Sequence, residues 1–197
     1  MKHNKTLKNI KNKKVKLNGK EKETIIVEKY MRKLAGVDTH LYKIKLNNYK
    51  CDKKVTLKKK PRSYINILKN NPNLYDFFSR KKLINTILVN NNNEITENLI
   101  KIINPYGKFT YCLTDNALII SETKVARNKT KIRKFVRDLT SKHYLICDKG
   151  VCASGELMIK DNTFIFDNSS GTFKPTLENL QNLKKALPNL NMKLTTM

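Results

Sequence analysis

The sequence predicts an α+β fold: a small antiparallel sheet built from hairpins and packed with helices, preceded by a helical region and a flexible basic arm. Three observations carry this expectation. After Lys108, apolar residues recur with a period of two on both sides of Asp115-Asn116 and again on both sides of Asp161-Asn162, the pattern of two hairpins. Residues 129–139 and 176–187 each place apolar side chains on one helical stripe. Residues 1–20 set Lys and Asn between single aliphatics with no lasting period, too little apolar surface to offset the entropy of ordering. The chain divides on this reading into a basic arm over 1–20, a mainly helical region with a short strand over 21–105, and an α+β domain over 106–197.

Within the middle region, Val27, Tyr30, Met31 and Leu34 fall on one helical face and Gly36 stands at a C-cap position, which predicts a helix over 21–34. Tyr42, Ile44 and Leu46 alternate with Lys43 and Lys45, as a half-buried or edge strand does. Residues 53–61 read as a basic linker or ribbon. Ser63 caps a short helix ended by Pro72, Asn73 caps another through Leu74, Phe77 and Phe78, and Asn93 caps a third carrying Ile95, Leu99 and Ile102 before Pro105.

In the C-terminal region, Phe109, Tyr111 and Leu113 form the first arm of a hairpin, Asp115 and Asn116 supply a turn at positive φ, and Leu118 and Ile120 return. A helix over 129–139 presents Ile132, Phe135, Val136 and Leu139 to the sheet, and a short strand is expected over 144–147. Leu157 and Ile159 lead to the second turn, from which Phe164 and Phe166 return. The last helix starts at the Thr176 cap, buries Leu177, Leu180, Leu183 and Leu187, and stops at Pro188.

The 41 Lys and Arg against 16 Asp and Glu give a formal charge of +25, and residues 1–62 alone hold 21 bases and 5 acids. A field of this size draws polyanions: nucleic acid, an anionic membrane surface or an acidic partner. The abundance of Asn and Ile, with the run Asn90 to Asn93, also fits an A/T-rich coding sequence, which accounts for the lysines without any partner. Three concentrations of base stand out: Lys11, Lys13 and Lys14; Lys58, Lys59, Lys60 and Arg62; and Arg127, Lys131, Arg133, Lys134 and Arg137. Tyr42, Tyr49 and Tyr64 lie near the second as stacking surfaces. With no signature of a sequence-reading module, binding is expected to be backbone-directed and weakly selective.

No apolar run approaches the roughly 18–20 residues that span a bilayer, and the first residues are charged, so an intracellular protein without a membrane span is expected. Cys51, Cys112, Cys147 and Cys152 form no tight pair and are expected as free thiols. His143, Cys147 and Cys152, with Asp148 among them, fit no zinc spacing. There is no Gly-x-Ser-x-Gly elbow and no Gly-rich phosphate loop. No catalytic residue, metal or cofactor is therefore expected, and an enzyme is unsupported.

One stretch carries a recognisable string. His143, Gly155 followed by the hairpin of Leu157 to Phe166, and then Ser170, Gly171, Phe173, Lys174 and Pro175 resemble the C-terminal module of the plant IQ-motif calmodulin-binding protein family, which also occurs in uncharacterised proteins of giant DNA viruses and some bacteria. Thr172 stands where the family's motif has histidine, Tyr144 and Leu145 stand at its serines, and the paired histidines are reduced to His143. These losses imply a binding or structural role in place of chemistry. The one glutamine, Gln181, lies outside any IQ context, so calmodulin binding is not implied. The resemblance implies a viral protein acting in the host cytoplasm or nucleus, or packed in a virion. Physically, Gly171 is expected to free a sharp turn, Phe173 to plug the sheet–helix junction, and Pro175 to end the strand.

Together these readings give a non-enzymatic accessory protein that binds nucleic acid or another polyanion with little sequence selectivity. The alternative is a protein-interaction module using the motif face around His143 and Lys174. The sequence does not define oligomeric state.

Overall fold

The computed structural model describes residues 15–17, 20–22, 24–34, 37–47, 49–56, 81–103, 107–122, 143, 146–147 and 150–196. A two-stranded antiparallel hairpin pairs β1 (Val15–Leu17) with β2 (Lys20–Lys22). The body is an eight-stranded sheet of β3 (Thr24–Leu34), β4 (Val37–Lys45), β5 (Lys81–Asn90), β6 (Lys108–Leu113), β7 (Ala117–Glu122), β8 (Ala153–Lys160), β9 (Thr163–Phe166) and β10 (Met192–Leu194). Their order across the sheet is β10-β9-β8-β6-β7-β4-β3-β5, antiparallel throughout except for the β9–β10 pair. Two helices, α1 (Ile95–Ile102) and α2 (Leu177–Ala186), complete the described elements. The fold is thus a sheet-dominated α+β fold.

Strand alternation sorts the side chains onto two faces. The front face carries Ile25, Val27, Tyr42, Ile44, Phe109, Tyr111, Leu113, Leu118, Ile120, Leu157, Phe164 and Phe166, and Ile95 and Leu99 of α1 with Leu180 and Leu183 of α2 cover it in one buried cluster. Tyr111 meets Phe166 edge to face at 5.0 Å between ring centroids. On the back, Cys112, Ile146, Cys147, Val151 and Phe173 form a smaller cluster.

Several expectations stand. The Phe109–Ile120 and Leu157–Phe166 hairpins form in the anticipated register, the strand through Tyr42 and Ile44 is β4, and the helix bearing Ile95, Leu99 and Ile102 is α1, with Glu94 at its N-cap position where Asn93 was expected. Thr176 caps α2 through a reciprocal box: the Asn179 N–H donates to Thr176 Oγ1 at 3.4 Å, and the Thr176 N–H donates to Asn179 Oδ1 at 2.9 Å.

Others are corrected. Residues 24–34 are not a helix but the long strand β3, paired on both sides by β4 and β5. Flanking strands pair the edges of β3 and leave its faces to alternate, with Ile25 and Val27 on the core side and Glu28 and Tyr30 on the other, so the helical spacing of Val27, Tyr30, Met31 and Leu34 is coincidence. The described part of 21–105 is accordingly strand-rich, not mainly helical. The β4–β7 ladder joins it to the 106–197 part in one sheet. Residues 15–17 and 20 belong to a hairpin and not to an unstructured arm. The helices expected after Ser63 and Asn73 and over 129–139 lie outside the described residues. His143 accepts backbone bonds from Ile146 and Cys147 at 3.1 and 3.0 Å, so Ile146 and Cys147 do not lie in the strand expected over 144–147, whose first two residues are outside the described ones. Leu177 is half exposed and does not join the buried row of α2.

The turn chemistry divides in the same way. Asp161 and Asn162 take φ of 48° and 53°, as expected for a two-residue hairpin. Asp115 and Asn116 do not adopt positive φ; their turn is closed by Thr114 N–H donating to the Ala117 carbonyl and Thr114 Oγ1 contacting Asn116 Oδ1.

Candidate functional site

Three groups of chemistry-bearing side chains emerge, at three places in the sheet. The first is the string His143, Gly155, Ser170, Gly171, Phe173, Lys174 and Pro175, which the fold gathers into one corner. Asp167, just beyond β9, crosses directly over Gly155: its N–H donates to the Glu156 carbonyl at 3.0 Å, its carbonyl accepts from Tyr111 Oη at 2.7 Å, and its Oδ1 accepts from the N–H groups of Glu156 and Ser169 at 2.7 and 2.8 Å. A Cβ on Gly155 would fall inside the Asp167 carbonyl, so only glycine fits under this crossing. His143 Nε2 lies 3.1 Å from the Gly155 carbonyl oxygen, and Ser170 accepts from the N–H of Phe173 on its hydroxyl and from that of Lys174 on its carbonyl.

His143, Gly155, Ser170, Phe173 and Pro175 are buried, while Gly171 and Lys174 are exposed. The structure corrects two details of the sequence reading. Phe173 packs into the back-face cluster with Cys112, Ile146 and Cys147. The residue that turns the chain at positive φ is Lys174, at 51°, and not Gly171, whose missing side chain faces open space. Asp167 is the organiser of the corner.

The second group sits at the β3–β4 turn end. Arg32 is almost wholly buried and its Nη2 donates to Ser121 Oγ at 2.6 Å, while its carbonyl accepts from Thr39 Oγ1. Burial brings the guanidinium down to about 10. On the other face, Glu122 accepts from the His40 N–H at 3.0 Å and lies 3.1 Å from its Nδ1. Ser121 and the His40–Glu122 pair point to opposite faces, and the serine hydroxyl already binds Arg32, so no nucleophile–base pair is assembled from them. Nearby on the back face, Glu28 binds Lys45 at 2.5 Å and accepts from Tyr30 Oη at 2.7 Å. Burial, followed by this bond to Glu28, pushes Tyr30 up to about 12.

The third group lies at the opposite end, where β4 leaves the sheet, β6 turns into β7 and β8 begins. Cys51 and Cys152 are joined by a disulfide across 101 residues of sequence, with Cα atoms 5.8 Å apart. This overturns the expectation of free thiols at these two positions. Cys112 and Cys147 are buried thiols. Asp115 stands beside the disulfide: its Oδ1 lies 3.5 Å from Cys51 Sγ and 3.9 Å from Cys152 Sγ and accepts from the Cys51 N–H at 3.3 Å, while Lys54 pairs with Oδ2. The Lys54 ammonium holds the Asp115 carboxyl below its ordinary value. A two-sided bridge between Val55 and Val151 and an Asn182 Nδ2 bond to the Cys152 carbonyl fix both sulfur-bearing segments. The grouping of His143, Cys147 and Cys152 is not brought together: Cys152 belongs to the front cluster and Cys147 to the back one.

The sequence reading missed this third group because its members come from three distant segments with no local spacing. The basic residues Lys11, Lys13, Lys14, Lys58, Lys59, Lys60, Arg62, Arg127, Lys131, Arg133, Lys134 and Arg137 all lie outside the described residues. The described side chains number 15 Lys and Arg against 11 Asp and Glu, nearly balanced, so most of the 41 bases and few of the 16 acids lie elsewhere in the chain. No described helix is long and apolar enough to cross a membrane. Compared with protein-family models, curated proteins and solved structures, the chain matches none.

Proposed function

We propose that the chain is a non-enzymatic accessory protein that binds nucleic acid or another polyanion through its basic segments, with the sheet as scaffold. The observation that carries this reading is the uneven charge along the sequence: an excess of +25, with 21 bases against 5 acids in residues 1–62. Phosphate attraction of this kind releases counterions and reads no bases, so selectivity is low and salt dependence steep. The burial of His143, Ser170, Phe173 and Pro175 favours a structural use of the motif over an interaction face, and supports polyanion binding above the protein-interaction alternative. A viral protein in the host cytoplasm or nucleus, or in a virion, accords with this reading.

The test is fluorescence anisotropy of labelled single- and double-stranded oligonucleotides across a salt series. Affinity is expected to drop by about 10³ or more between 50 and 200 mM salt if six or more phosphates are contacted. Reversing Lys58, Lys59, Lys60 and Arg62 to Glu together should weaken binding alike for all sequences. No binding at low salt would remove the reading.

A further inference from the structure

The carboxylate beside the Cys51–Cys152 disulfide has its Oδ1 against two sulfurs that, while bonded to one another, carry no proton to give it. We propose that Cys51, Cys152 and Asp115 hold a thiophilic divalent cation, of the Zn²⁺ class, when the sulfur–sulfur bond is reduced, and that formation of the bond closes this site.

The distances carry the argument. A tetrahedral zinc with Zn–S of about 2.3 Å and Zn–O of about 2.1 Å separates a ligand sulfur from a ligand oxygen by about 3.6 Å, and two sulfurs by about 3.8 Å. Asp115 Oδ1 already stands 3.5 and 3.9 Å from the two sulfurs. Breaking the sulfur–sulfur bond lets the sulfurs part to van der Waals contact, close to the separation that a shared metal requires. The three ligand atoms lie within 4.8 Å of one another. Their backbones are fixed independently, by the Val55–Val151 bridge, the β6–β7 turn and the Asn182 bond to Cys152.

Charge and access also fit. Two thiolates and one carboxylate around a divalent ion leave one negative charge, which Lys54 on Oδ2 balances. The sulfurs are buried, and Asp115 with Lys54 forms the solvent-facing side through which an ion enters. Three protein ligands leave a fourth position for water, as in open zinc sites. Opening is a two-electron step: an external dithiol passes two electrons and two protons to the cystine and itself becomes a disulfide. The cation then replaces the two thiol protons, which leave to solvent. A small-molecule disulfide reverses the sequence and expels the ion.

The experiment titrates Co²⁺, as a spectroscopic stand-in for zinc, into the full chain after reduction and removal of the reductant, while circular dichroism monitors the sheet. Expected is one Co²⁺ per chain with a thiolate charge-transfer band and the visible bands of a tetrahedral site, released by equimolar Zn²⁺. The oxidised wild-type chain serves as the folded control and should show no band. Asp115→Asn should weaken Co²⁺ at least tenfold without changing the thiol count, and Cys51→Ser or Cys152→Ser should abolish the band. A reduced chain without the band overturns the proposal, as does one that has lost its sheet signal. A band that survives Cys152→Ser, or an affinity unmoved by Asp115→Asn, overturns it too.

Discussion

A side chain at Gly155 would have to share space with the strand end that crosses it, whereas one at Gly171 would meet nothing within 4 Å. The two glycines look equivalent in the sequence, yet Gly155→Ala should cost more than about 3 kcal/mol and Gly171→Ala less than about 0.5 kcal/mol, measured by urea denaturation. The corner around Ser170 and Pro175 was legible as a strand-to-helix junction. Its geometry was not, because the crossing of Asp167 over Gly155 is a tertiary approach that no local spacing records, and because Lys174 adopts the left-handed conformation usually left to Gly or Asn. Buried phenols make a second prediction at this scale. Burial, with nearby carboxylates, raises Tyr30 and Tyr49 to about 12 and Tyr111 well above the ordinary value of 10. An acid raised in the native state holds its proton longer there than in the unfolded chain, so its contribution to stability is present below pH 10 and is lost as pH rises toward 12. Ultraviolet titration should show these rings ionising late, and the denaturation midpoint should fall across the same interval.

α2 and β3 show opposite relations between pattern and element. In α2 the local signals agree: a Thr cap, an Asn three residues on, a Leu row and a following proline, and the structure follows them. Thr176→Ala should lower stability by about 1 kcal/mol through loss of the cap, and circular dichroism melts would detect it. In β3 the local pattern misleads, since its two flanking partners cover its edges only and its alternation is broken by Lys29, which lies over the Tyr42 ring on the core side, and by Arg32, buried on the other. Arg32 illustrates why: its place in a strand depends on Ser121, 89 residues away. The two C-terminal hairpins lay between these cases. Both were legible in register, but only the Asp161-Asn162 turn has the expected positive φ. The β3–β5 ladder also carries a register shift beside Lys29, with Ile84 as the extra residue, which no alternation count would locate.

At the scale of the whole molecule, the charge division was legible by counting, while the continuity of the sheet was not, because strand order depends on pairings between distant segments. The disulfide was equally hidden. It closes 101 residues, and on the chain-entropy account a loop of this length contributes about 4–5 kcal/mol, so reduction in the absence of metal should shift the denaturant midpoint markedly downward. An unchanged midpoint would show that the cross-link constrains little. The strand order has one more implication. Strands from before residue 91 occupy one flank of the sheet and strands from after residue 107 the other, so the flanks meet along a single ladder, Leu41 to Lys45 against Ala117 to Ser121. The covalent staple sits at one tip of that ladder. Under thermal opening, then, the sheet parts like a hinged cover from its unstapled tip, where His40 and Glu122 lie, and the amide protons there are the first to exchange with solvent.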